Sequence, residues 1–110
     1  MTQDRFAEIR VQFIEKLEAY AERIDRLLVE IEALPGLPDA ALMAPIREIA
    51  HKVSGVAATL DYATLGEAAA LLDVYIISEQ YLIPANTTRT KELVALFLEE
   101  LDFALEEGSA

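Results

Sequence analysis

Residues 46–60 read IREIAHKVSGVAATL, and winding them as an α-helix decides how the rest of the chain is read. Successive side chains turn by about 100° along a helix. Ile46, Ile49, Ala50, Val53, Val56, Ala57 and Leu60 then share one face, the arc a helix buries against its neighbours. His51, the one histidine in 110 residues, falls roughly 160° from the centre of that arc and points at solvent. Its neighbours one turn away are Arg47 and Glu48 below and Ser54 and Gly55 above, with Ala44 and Ala58 two turns away. Solvent-facing helix surfaces usually carry long charged side chains. This one is mostly small, and Gly55 sits mid-helix, where glycine costs about 1 kcal/mol against alanine. A cleared surface round one exposed imidazole suits something that must approach it closely.

On the N-terminal side, residues 4–34 read as one long helix. Phe13, Leu17, Tyr20, Ile24, Leu27, Ile31 and Leu34 alternate spacings of four and three, a heptad-like seam. Phe6 and Ile9 extend the stripe, and Thr2 or Asp4 is placed to cap it. Glu8, Glu15, Glu18, Glu22, Asp25 and Arg26 make the opposite, solvated face. At about 1.5 Å per residue this helix is roughly 45 Å long. That is more than a small bundle needs, so its first two turns have room to kink away as a cap. The seam could also join two copies as a coiled coil, but the other helices need a partner, which favours a bundle core. Pro35-Gly36-Leu37-Pro38 ends the helix. Asp39 is a good N-cap for a short helical turn, Ala40–Ala44, and Pro45 fits the first turn of the histidine helix.

On the C-terminal side the pattern breaks at Asp61-Tyr62. A third helix is expected from about Ala63 to Tyr81, with Leu65, Ala69, Leu72 and Ile76 on one face and Ala68, Leu71 and Tyr75 beside them. So wide an arc predicts a well-buried helix. Gly66 and the run Ala68–Ala70 allow backbones to pack closely. Leu82–Asn86 reads as a loop. Thr87 or Thr88 caps a last helix over about Thr88–Glu107, with Val94, Leu98, Leu101 and Leu105 as its stripe, flanked by Leu93, Phe97 and Ala104. Glu107–Ala110 reads as a frayed tail. No strand pattern of useful length is present. Four amphipathic helices with short connections predict an all-α, antiparallel up-down four-helix bundle, one domain over residues 1–110.

Composition narrows the function classes. There is no cysteine, hence no disulfide framework, thiolate metal site or cysteine nucleophile; a reducing cytoplasm is the compartment expected. Hydrophobic residues make up 54% of the chain, with 4 glycines and 4 prolines, which favours a helical domain. The opening MTQDRFAEIR has no apolar core, so no signal peptide is expected, and no apolar run reaches the ~18 residues of a membrane span. A formal net charge of −11 argues against nucleic acid and anionic membranes as partners and for cationic partner patches.

HKVSGVAATLDYATLGEAAALLD, residues 51–73, resembles the phosphoacceptor segment of histidine phosphotransfer (HPt) domains, which carry phosphoryl groups between aspartates of two-component relays. The family pattern is roughly His-x-hydrophobic-Lys-Gly-small-small, followed by a glycine near the helix end and a second helix. His51, Val53, Gly55, Ala57, Leu60 and Leu65 match it. Ser54 stands where lysine is usual, with Lys52 one residue after the histidine instead. Val56 replaces a small residue, and Ala58 and Asp61 stand where glycines are common. The resemblance implies an HPt-like bundle with His51 as phosphoacceptor. It implies a response-regulator receiver domain and a sensor or hybrid histidine kinase as partners. It also implies that the receiver supplies both the aspartate and a Mg²⁺ ion, with no cofactor held by this chain. A monomer is expected rather than a homodimer.

The residues admit that chemistry. A free imidazole titrates near pH ~6.5, so its neutral form, with a lone pair able to attack phosphorus, predominates at neutral pH. Arg47 and Lys52 are the nearest cations; they offset phosphate charge, meet acidic partner residues, or are plain solvated charges. Ser54 is placed to hydrogen-bond the ring or a phosphate, or is a simple surface serine. Glu48 could accept the other ring N–H and orient it. Gly55 and Ala58 leave the surface open. No Gly-rich phosphate loop or Walker lysine motif is present, so a carrier without ATP-dependent kinase activity is expected. Glu48 and His51 form one Glu-x-x-His pair, but di-iron bundles need two, facing inward, so no metal site is expected. Two other functions compete: a non-phosphorylated HPt-like adaptor that binds a receiver or kinase domain, and a dimeric scaffold built on the Phe13–Leu34 seam.

Overall fold

The computed structural model describes residues 2–109, without the side chains of Thr2, Gln3, Asp4, Phe6 and Ser109. The expected Thr2 or Asp4 cap, the Phe6 contact and Ala110 lie outside the described residues. Four helices run α1 (Thr2–Ala33), α2 (Ala40–Ala57), α3 (Ala63–Ile77) and α4 (Thr87–Ser109), with no strand among the described residues. Short connections turn each helix back along its predecessor. α2 packs mainly on α3, α1 on α4, and α3 on α4.

α1 is one unbroken helix of 32 residues. No proline or glycine interrupts it, and it runs most of the 52 Å length of the molecule. The cap expected to kink away is not a separate element. Phe13, Leu17, Ile24 and Ile31 are buried within the chain's own bundle, joined by Ala21 and Leu28. The seam is therefore covered by α2 and α4. Ile9 is exposed, so the buried stripe does not include it.

α2 begins earlier than the proline suggests. Asp39 caps it as expected, its side chain accepting from the Leu42 N–H at 3.0 Å. The helix then continues through Pro45 into the histidine segment without a break. Pro45 lies in the second turn, where its absent N–H removes one bond, to Ala41, and its φ is already helical. Ile46, Ile49, Ala50, Val53 and Ala57 are buried, but Val56 is 40% exposed. It borders a groove between α1 and α2 with Ile9, Tyr20 and Lys52 instead of entering the core.

A short 3₁₀ turn, Ala58–Leu60, closes α2. Asp61 then adopts a left-handed conformation, φ 69°, with Tyr62 N–H bonded to Ala57 O at 2.8 Å and Asp61 N–H to Ala58 O at 3.3 Å. This is the Schellman pattern that glycine usually completes. Arg10 of α1 secures the corner. It donates to Leu60 O, pairs with Asp61 at 3.6 Å and lies 5.6 Å from the centre of the Tyr62 ring. Gly66 faces Ala57 and Ala58 at 3.4–3.7 Å from where a Cβ would stand, the close approach expected of α2 and α3.

α3 ends at Ile77, four residues short of the expected Tyr81. Glu79 turns left-handed, φ 57°, and two 3₁₀ turns, Gln80–Leu82 and Pro84–Asn86, follow. Leu65, Ala69, Leu72 and Ile76 are buried, yet Val74 is 61% and Ile77 62% exposed, with Leu71 exposed beside them. The wide apolar arc is thus only half used, which corrects the expectation of a well-buried helix. The start of α4 is tied to α3 through fully buried Thr90. Its hydroxyl donates to Asn86 O at 2.9 Å and lies 2.6 Å from the Tyr75 hydroxyl. Thr87 donates to Pro84 O at 2.8 Å. α4 extends through Gly108, which packs against Ile14 where any Cβ would collide at 2.5 Å. The C-terminal residues up to Ser109 are therefore helical, not a frayed tail.

Candidate functional site

The outer face of α2 presents Ala44, Arg47, His51, Ser54, Gly55 and Ala58, all exposed or half-exposed. The buried residues of α2 lock its rotation, so the opposite face has no freedom to turn inward. The His51 side chain is 64% exposed. A Cβ on Gly55 would meet nothing within 4 Å, so no neighbouring helix requires a glycine there. The space in front of it is open, one turn from the imidazole.

The ring has one protein partner, and it comes from α3. His51 Nδ1 lies 2.9 Å from Asp73 Oδ2. The other carboxylate oxygen, Oδ1, accepts from Arg47 Nε, also at 2.9 Å. Asp73 is only 16% exposed. Burial pushes its carboxyl up, but the hydrogen bonds from His51 and Arg47, together with the Arg47 charge, outweigh that, and the group is held below its ordinary value. An ionised Asp73 accepts from both neighbours and donates to neither, so Nδ1 carries the proton. Nε2 is then the nitrogen with the lone pair, and among the described residues no hydrogen bond reaches it.

The sequence offered Glu48 as a possible acceptor for the other ring N–H, and the geometry places Asp73 there. Glu48 instead accepts from Lys52 Nζ at 3.1 Å across one turn. That hydrogen bond, then the Glu48 charge, raises the Lys52 pKa. Ser54 does not bond the ring: its hydroxyl donates to the His51 carbonyl at 2.9 Å. Arg47 is adjacent as expected but engaged with Asp73. Of the expected residues, His51 and Arg47 are brought together; Lys52 and Glu48 form a separate pair, and Gly55 and Ala58 flank the face. Asp73 was missed. One signal was available, since it is the single charged residue in the run Ala68–Ile77, AAALLDVYII.

The bundle thus braces one histidine on an open helix face, with Nδ1 engaged by Asp73 and no hydrogen bond at Nε2 among the described residues. The chain belongs to the Hpt domain family, whose model matches residues 8–107. Hpt domains carry out histidine phosphotransfer in two-component relays, are phosphocarriers rather than kinases, and interact with receiver domains and kinases. No curated protein and no solved structure matches the chain. No helix among the described residues is long and apolar enough to cross a membrane.

Proposed function

We propose that His51 accepts a phosphoryl group on Nε2 from an aspartyl phosphate of a response-regulator receiver domain, or returns one to it, in a relay fed by a sensor or hybrid histidine kinase. The observation that carries this reading is the exposed imidazole whose Nδ1 is occupied by Asp73, because it leaves a single nucleophilic nitrogen aimed away from the protein. Phosphoryl transfer needs little covalent help beyond alignment and charge neutralisation. The Mg²⁺ that serves this chemistry belongs to the receiver; Asp73 is already committed to His51 and Arg47 and is not a free metal ligand. This chain orients the ring, keeps its proton on Nδ1 and offers a flat approach. The receiver docks on the α2–α3 face, where Ala44, Gly55 and Ala58 clear the surface and Val74 and Ile77 supply an exposed apolar strip. The domain works as a cytoplasmic monomer and draws no phosphate from ATP itself.

The test is transfer from a phosphorylated receiver domain in the presence of Mg²⁺. Wild type takes up acid-labile label. His51→Gln takes up none and melts within a degree or two of wild type, because exposed substitutions usually change stability by less than about 0.5 kcal/mol. Label on His51→Gln would remove the reading at its centre. Tight receiver binding by a wild type that never takes up label would favour the adaptor function, for which the engagement of both Arg47 and Lys52 by carboxylates is the supporting observation.

A further inference from the structure

α2 packs mainly on α3 and α1 on α4, which leaves a groove between α1 and α2, on the flank of α2 away from Asp73. Two cavities of about 410 and 400 Å³ make up the groove, joined at Tyr20 and Lys52, which line both. Its floor is apolar: Phe13 and Ile49 are buried beneath it, and Ile9 and Val56 stand exposed in it. Along its α1 edge Ile9, Gln12, Lys16, Ala19, Arg23 and Arg26 are all exposed and follow one another by three and four residues. That spacing keeps side chains in line along a helix, in a stripe that a second helix can follow. No acidic residue stands in the stripe.

The charge of the groove runs against that of the whole chain, which has 9 Lys and Arg to 20 Asp and Glu. Lys52 is engaged by Glu48. Lys16, Arg23 and Arg26 make no hydrogen bond or ion pair among the described residues. One other carboxylate, Glu22, borders the groove. It also lines the cleft on the α4 side of α1, with Glu18 and Asp25. α1 thus sorts its charges across its width, cations toward α2 and carboxylates toward α4.

We propose that this groove binds an amphipathic helix of a partner protein, with its apolar face on Ile9, Tyr20 and Val56 and acidic side chains along the flank that meets Lys16, Arg23 and Arg26. The site does not depend on the acceptor role of His51. From Ile9 to Arg26 the edge is roughly 26 Å long, about five helical turns at ~1.5 Å per residue. An apolar floor beneath a charged edge is the arrangement by which grooves hold amphipathic helices. Charge selects the acidic kind. The net repulsion of the chain is screened beyond about 10 Å at 0.1 M salt, so at contact distance the local cations decide where an acidic segment is held. A second copy would bring another −11 charges to the surface. A bilayer is flat and does not reach a floor set between two helices.

The probe is a synthetic helical peptide of about 18 residues, with leucine on one face and glutamate along its flanks. It is titrated into the full-length protein, with affinity read by fluorescence anisotropy and the site by backbone amide shifts. Shifts are expected to concentrate between residues 9 and 26 of α1 and between 45 and 56 of α2. Lys16→Glu and Arg23→Glu should each weaken binding several-fold and together more than tenfold, and Val56→Ser should weaken it too. Arg89→Glu makes the same change in net charge on α4, away from both cavities, and should alter affinity by less than about twofold, since a distant exposed charge is screened. All four positions are exposed, and thermal melts identify any variant that fails to fold. The proposal is overturned if the peptide does not bind at millimolar concentration or if its shifts map to the α2–α3 face. It is overturned equally if Arg89→Glu weakens binding as much as Lys16→Glu, or if a peptide with serine in place of leucine binds as well, because net charge alone would then explain the affinity. Self-association in sedimentation that Lys16→Glu abolishes would assign the groove to a second copy. Co-sedimentation with phosphatidylglycerol vesicles, lost in the same variant, would assign it to a membrane. Either result replaces the partner helix.

Discussion

In the proposed transfer His51 and Gly55 divide the work of the exposed face: one offers a nitrogen, the other keeps the space before it empty. Because a Cβ at position 55 meets no atom within 4 Å, Gly55→Gln is expected to fold and to melt at or slightly above the wild-type temperature, glutamine being the better helix former by somewhat under ~1 kcal/mol. Its long side chain should nevertheless slow transfer from a phosphorylated receiver; unchanged transfer would show that the opening is not used. Asp73 makes a prediction about acid. Its carboxyl is held below the ordinary value of 3.8, so the unfolded chain takes up this proton first as the pH drops. The stability it contributes is present above the ordinary carboxylate range and is lost on acidification through it. Melts of wild type and Asp73→Asn should therefore differ at pH 5 and converge toward about pH 2. A gap that stays constant across that window would mean that Asp73 is not stabilised as the anion.

At the scale of the helix, two ends are set by residues that seldom end helices. Asp61 and Glu79 both hold positive φ, 69° and 57°. A side chain in that conformation costs roughly 1 kcal/mol, which glycine avoids. Asp61 is held by Arg10 and is of a type that tolerates the left-handed region. Glu79 has neither advantage. Glu79→Gly is therefore expected to raise the melting temperature by several degrees, read by circular dichroism, and a fall would mean that the turn after α3 is held by glutamate contacts. The same absence of a glycine explains why the end of α3 was not legible: Ser78, Glu79 and Gln80, which follow Ile77, include neither glycine nor proline to say stop. Pro45 misleads in the opposite sense. It reads as a boundary, yet α2, capped at Asp39, runs through it at the loss of one bond, to Ala41.

For the whole molecule, four acidic residues, Glu18, Glu22, Asp25 and Asp102, line one cleft where α1 meets α4. Burial, then the charges of Asp25 and Glu106, raise the Asp102 pKa. Its ionised form therefore opposes folding at neutral pH, and stability recovers as the pH falls through the raised value toward the ordinary 3.8. Asp102→Asn should melt above wild type at pH 7, with the advantage gone at about pH 3 and reduced by salt, which screens exposed charges; an advantage that persists in acid would place its origin in packing. The sequence alone determined the helical class, the core faces of α1, α2 and α4, and the exposure of His51, because each follows from a period of 3.6 residues along one helix. It could not determine that Asp73, 22 positions on, would brace the ring in place of Glu48, or that Val74 and Ile77 would stay uncovered. Those facts depend on how α3 is rotated and slid against α2. That register is set by Gly66 nesting on Ala57 and Ala58 and by Arg10 fixing the Leu60–Tyr62 corner, the second a contact between residues distant in the chain that no local pattern encodes.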